Sequence, residues 1–89
     1  MAITFEYDAV KSQQNFDKHG IDFLQAQWLW KDDCRLEIPA RTQGEPRSMI
    51  IGRIGLIHWS AIITYREADV RIISVRRART EERALYENL

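Results

Sequence analysis

Apolar and polar residues alternate over Ile3-Thr4-Phe5-Glu6-Tyr7, which is the period of a half-buried strand. Asp8 follows, and its carboxylate can accept from the free amides of a helical first turn. Ala9 to His19 then reads as a helix with Val10 and Phe16 as its few apolar anchors, and Gly20 stands where a left-handed stop is wanted. Asp22-Phe23-Leu24-Gln25 has the form of a capping box and opens a second helix through Trp30. Phe23, Ala26 and Trp30 share a face of it, while Trp28 and Trp30 read as packing, in the core or against a partner. Neither helix carries enough apolar surface to stand alone, so both must lie on something larger.

A run of strands supplies it. Cys34 to Ile38 is a short strand ended by Pro39, and Ala40 to Pro46 is a polar loop. Arg47 to Arg53 and Leu56 to Arg66 are strands separated by a turn around Gly52 and Gly55. Glu67-Ala68-Asp69 makes the next turn, and Val70 to Arg77 is the last strand. Turns this short force antiparallel neighbours. Thr80 is expected to cap a final helix with Glu81 and Glu82 in its first turn and with Leu85 and Leu89 as its apolar edge. The pattern predicts one α+β domain over residues 1–89 in the order β-α-α-β-β-β-β-α. Strict alternation along the last strand puts Arg71, Ile73, Val75 and Arg77 on one face and Ile72, Ser74 and Arg76 on the other. The Ile73/Val75 side suits the core beneath the helices, which leaves Ser74 and Arg76 on the open side. In the preceding strand Thr64 and Arg66 share a face.

Charge changes this picture locally, not globally. Formal net charge is zero, so bulk charge names no nucleic-acid partner. From Arg71 to Arg83, however, five arginines face two glutamates, and any steering field would arise there. A planar guanidinium donates paired hydrogen bonds and stays charged, which suits phosphate. The plainer reading is that these arginines are solvated or paired with Glu81, Glu82 and Glu87. Cys34 is the lone cysteine; it excludes an internal disulfide and fits a reducing compartment. The first residues lack a signal-peptide pattern, and the apolar region Ile54 to Ile63 is too short to span a bilayer. A cytoplasmic protein without membrane contact is expected. No carboxylates or histidines cluster at metal-ligand spacing, so neither metal nor cofactor is expected.

Phe5-Glu6-Tyr7-Asp8, Lys11, Asn15 and Lys18-His19-Gly20-Ile21-x-Phe23-x-x-Ala26 together resemble the opening signature of the BrnT family of type II toxins. The second half agrees through Gly44-Glu45-x-Arg47, Thr64-x-Arg66, Arg71-Ile72-Ile73-Ser74-x-Arg76-x-Ala78 and Glu82-Arg83-x-x-Tyr86. The resemblance covers nearly the whole chain. It implies a RelE-like fold, a small antiparallel sheet with helices packed on one face. It also implies a ribonuclease that cleaves RNA and arrests growth, neutralised by a BrnA-like antitoxin with a ribbon-helix-helix domain. The pair would form a 2:2 heterotetramer that represses its own operon, so operator DNA would be met only through the antitoxin. Two positions depart from the family pattern. Tyr7 replaces the usual Trp, and Ile63 replaces the aromatic, usually Tyr, before Thr64, where a base-stacking or hydroxyl contact would be lost.

RNA can be cleaved without metal when the 2′-hydroxyl attacks the neighbouring phosphorus, given a base, an acid and cations for the developing charge. Arg66, Arg71 and Arg76 are candidates for phosphate stabilisation, with Arg47 next. His19 has an intrinsic pKa suited to acid/base work, although it ends a helix, where an imidazolium also suits the last carbonyls. Lys18 could bind phosphate. Thr64 and Ser74 are candidate RNA contacts, and Arg77 and Arg79 peripheral ones or surface charges. His58, in an apolar strand, reads as structural. A second reading is a non-catalytic binding module, partner and co-repressor of a ribbon-helix-helix protein.

Overall fold

Three long strands, β3 (Arg47–Ile54), β4 (Ile57–Arg66) and β5 (Asp69–Arg77), form the meander that everything else is laid on. They appear in a computed structural model of the chain that describes residues 3–41 and 43–88. Before them come β1 (Phe5–Glu6), α1 (Ala9–His19), a 3₁₀ helix (Gln25–Lys31) and β2 (Leu36–Ala40); α2 (Thr80–Glu87) closes the chain. The α+β class and the element order are those expected. The sheet runs β1-β5-β4-β3-β2. Its four longer strands are antiparallel neighbours, whereas β1 pairs parallel to β5 through Phe5↔Val70 and Glu6↔Arg71.

Boundaries shift for identifiable reasons. Pro39 lies inside β2, paired with Ser48, which is tolerated because β2 is an edge strand and an edge proline need not donate to a ladder. Gly52 is a strand residue opposite Trp59, so the β3–β4 turn rests on Gly55 alone, at φ +61°. The second helix is 3₁₀, yet it carries the expected reciprocal box. Gln25 N donates to Asp22 Oδ1 (2.7 Å) and Asp22 N to Gln25 Oε1 (3.0 Å). Asp8 caps α1 by accepting from Val10 N and Lys11 N, and Gly20 stops it at φ 78°. The N-cap of α2 is Arg79 rather than Thr80, because the Glu82 carboxylate reaches back to the Arg79 amide (2.8 Å). Leu85 is exposed, and Leu89 lies outside the described residues.

The decisive irregularity is a bulge. Ile62 pairs with Ser74 but Ile63 pairs with Ile72, so Ile73 is an extra residue without a partner. A one-residue slip exchanges the faces of a strand. Ile72 and Val75, not Ile73 and Val75, therefore bury on one side, and Arg71 crosses to the side of Ser74 and Arg76.

Ile21, Phe23, Ala26 and Leu29 pack on Ile50, Trp59, Ala61, Ile63, Val70, Ile72 and Val75 to make the core. Tyr7 stacks edge-on against Phe23 at 5.8 Å. Beyond β1 the free edge of β5 is completed by α1. Asn15 Nδ2 donates to Val75 O (2.9 Å), and Val75 N donates to Asn15 Oδ1 (3.2 Å). The other face of the sheet carries α2, tied to Ser60 and Arg76 through Glu82. The helices thus divide, α1 and the 3₁₀ helix on the core side and α2 on the opposite side.

Candidate nucleic-acid interface

Cross-strand pairing sorts the α2-bearing face into three rows. The first, Leu36-Ile51-Ser60-Arg76, lies beneath α2; the second is Ile38-Met49-Ile62-Ser74. The third joins Ala40 to Arg47 on one flank and Thr64 to Arg71 and Glu6 on the other. Arg66, two residues past Thr64, extends it. α2 covers only the first row. The second is largely apolar and half-buried except at Ser74, and the third is basic.

Within the basic row Glu6 sits between two arginines. Arg71 Nη1 lies 3.3 Å from its Oε1, and Arg66 Nε lies 4.0 Å from the same oxygen. Arg66 also reaches Glu45 at 3.7 Å. Arg47 Nε is buried without a hydrogen-bond partner. Thr64 is buried, and its hydroxyl donates to Pro46 O (2.8 Å), which fixes the loop beside Arg47. Ser74 is exposed. The structure therefore brings Arg47, Thr64, Arg66, Arg71, Ser74 and Arg76 to a single face.

Arg76 is held differently. Its Nη1 and Nη2 each donate to Glu82 at 2.8 Å, in a two-pronged pair, and Nη1 also donates to Arg77 O. Glu82 accepts further from Ser60 Oγ (2.9 Å) and Arg79 N (2.8 Å). These bonds, Arg76's foremost, outweigh burial and pull the Glu82 carboxyl down to about 2; Glu82 in turn raises the pKa of Arg76. The pair anchors α2 to the sheet.

The remaining candidates lie elsewhere. Lys18 and His19 end α1 on the other side of the sheet, and among the described residues neither forms an ion pair or hydrogen bond with the arginines. Arg77 shares the core-side face of β5 with Val75, its guanidinium 5.8 Å from the Trp59 ring. Arg79 caps α2. Ile63 is 0 % exposed within the core, so its side chain faces away from the basic row, and its departure from the family pattern bears on packing. His58 stacks on Tyr86 at 5.1 Å and lies 3.4 Å from Glu87.

Sequence reasoning missed Glu6 and Ser60 as partners and offered Glu82 both a helix-terminus role and, as one alternative, a pairing with the arginines. The alternation of Ile3 to Tyr7 signalled a strand, but nothing local names its neighbour sixty-five residues away.

Among the described residues no three His, Cys, Asp or Glu side chains are grouped to hold a metal ion, and no helix is long and apolar enough to cross a membrane. Residues 7–82 match the profile of a family described as ribonuclease toxin, BrnT, of type II toxin–antitoxin system. No curated protein matches the chain.

Proposed function

The chain belongs to the BrnT family of ribonuclease toxins of type II toxin–antitoxin systems, and on that premise we propose that it is an endoribonuclease whose basic row holds the scissile phosphate. One observation carries the reading. The bulge at Ile73 brings Arg71 to the face that already carries Arg47 and Arg66, on the part of the sheet that α2 leaves uncovered. Three guanidinium groups aimed at one region suit the charge that grows on phosphate during transfer.

In this mechanism the 2′-oxygen bonds to phosphorus and the bond to the 5′-oxygen breaks, with no metal required. The 2′-hydroxyl proton passes to Glu6, the carboxylate between Arg66 and Arg71, and the 5′-oxygen leaves with a proton from water. Arg76 acts as a positioning residue through Glu82, Ser74 lies along the path of the strand, and His19 serves the end of α1. The toxin works in the cytoplasm and is neutralised by a ribbon-helix-helix antitoxin in a 2:2 complex that alone meets operator DNA.

The test is induction of wild type and of Arg71→Ala in cells, with RNA integrity followed and folding checked by circular dichroism. Wild type is expected to arrest growth and cut RNA. The variant, folded, is expected to lose about two orders of magnitude in cleavage. A folded wild type that neither arrests growth nor cuts RNA would overturn this and leave the binding-module reading, which the engagement of Arg76 by Glu82 favours.

A further inference from the structure

A notch at the far end of the sheet has a different character. β2 stops at Leu36, opposite Ile51, which leaves the outer edge of β3 bare from Gly52 to Ile54. Asp32 fills part of the gap by accepting from Arg53 N (2.9 Å). Trp28 arrives from the 3₁₀ helix and Tyr86 from α2, on opposite sides of the sheet. Together they line a concavity of about 440 Å³ that also includes Lys31 and Arg53.

Its electrostatics favour an anion. Asp32 accepts three hydrogen bonds, its Oδ2 from Arg53 N and the Tyr86 hydroxyl (2.7 Å) and its Oδ1 from Cys34 N (2.9 Å), and its one negative charge stands against the two positive charges of Lys31 and Arg53. Lys31 and Arg53, by contrast, form no ion pair among the described residues. Among the described residues the Arg53 guanidinium hydrogen-bonds only to the Gly55 carbonyl, at 3.3 and 3.4 Å, and its charge helps to hold the Asp32 carboxyl below the usual carboxylate range. The same concavity is lined by the indole of Trp28, which is 62 % exposed. The indole also borders a second, shallower concavity of about 200 Å³ lined by Leu24, Gln27 and Lys31. An open aromatic face in one concavity with cations that form no ion pair is how single-stranded nucleic acid is held, the base stacking and the phosphate paired. Trp28, Leu24 and Ile54 also give the two concavities apolar surface, and it is the pair of cations beside it that favours a nucleotide over a protein partner.

We propose that this notch is a second nucleotide subsite, in which Trp28 stacks a base while Lys31 and Arg53 hold the adjoining phosphate of the same RNA. The inference rests on the ribonuclease reading. Arg53 is six residues along β3 from Arg47, roughly 20 Å in an extended strand, so a single strand of several nucleotides would reach both sites. The subsite would set where along the RNA the basic row cuts.

The experiment is fluorescence anisotropy with a short, labelled, cleavage-resistant 2′-O-methyl oligoribonucleotide and the full chain. Trp28→Ala is expected to weaken binding roughly tenfold, equal to about 1.4 kcal/mol, and Trp28→Phe to restore most of it. Lys31→Glu with Arg53→Glu is expected to weaken it and flatten the salt dependence. An exposed side chain makes these changes mild for folding. If Trp28→Ala binds as wild type while Arg71→Ala binds less tightly, the subsite is refuted and the ribonuclease reading stands. If Trp28→Ala keeps the oligonucleotide but loses a protein partner, the notch is a protein interface and the proposal fails. If wild type binds no oligonucleotide, both readings fall.

Discussion

Replacing Glu82 by glutamine removes one charge and leaves the shape. The carboxylate accepts four hydrogen bonds, two from Arg76 and one each from Ser60 and Arg79. The amide keeps one oxygen and turns an N–H₂ group towards donors. In wild type the Glu82 carboxyl falls from 4.5 to about 2, which at about 1.4 kcal/mol per pH unit corresponds to roughly 3 kcal/mol. Arg76 is 28 % exposed, so water screens part of that, and a loss of about 2 kcal/mol at pH 7 is expected. A domain of this size would then melt roughly 8–16 °C lower. The sign follows from a depressed folded pKa: the contribution is complete above pH 4.5 and is lost as pH falls towards 2. Urea unfolding of both proteins at pH 7 and pH 3 measures it, with the gap expected to shrink by about half at pH 3. A gap under about 0.5 kcal/mol at pH 7, or one unchanged at pH 3, would refute the assignment of Arg76–Glu82 as the anchor of α2.

Two further substitutions probe the core-side face. Asn15→Ala removes the bonds to Ile21 O and to both backbone groups of Val75; it should cost about 2–3 kcal/mol and speed hydrogen exchange at the Val75 amide, and unaltered exchange there would contradict the edge-completing role. Gly52→Ala would set a methyl 3.2 Å from Leu29 Cδ2 and 3.4 Å from Asp32 Oδ2, so a loss of about 1–2 kcal/mol in thermal unfolding is expected, and an unchanged or raised melting temperature would show that the 3₁₀ helix can give way.

Local signals were legible where chemistry is local. Asp8, Gly20 and the Asp22/Gln25 pair announced their caps because each acts within a turn of its own position. The meander was legible because its turns are short. The parallel pairing of β1 was hidden, since no turn links Glu6 to Arg71, and so was the bulge at Ile73. Both isoleucines there are apolar, and alternation cannot say which of the two is the extra residue. The presence of the extra residue decides the candidate site, because without it Arg71 would not share a face with Arg76. The bidentate clamp was half visible: pairing of the arginines with Glu82 was one of the two alternatives, but Ser60 looked like an ordinary strand residue. Trp28 read as packing because exposure is not written in composition.

The short first strand has a consequence for how the protein is made. Phe5 and Glu6 leave the ribosome early, yet their partners Val70 and Arg71 come sixty-five residues later. At about 5–20 residues per second the first strand waits roughly 3–13 seconds for a neighbour. Meanwhile α1 and the 3₁₀ helix have no sheet to cover, since Asn15 needs the backbone of Val75. Nucleation therefore falls to the late, locally paired meander, and the early part of the chain joins by long-range closure, the slower kind of folding step. The basic row is assembled from both ends of the chain, so a nascent toxin carries no complete site until synthesis is almost over.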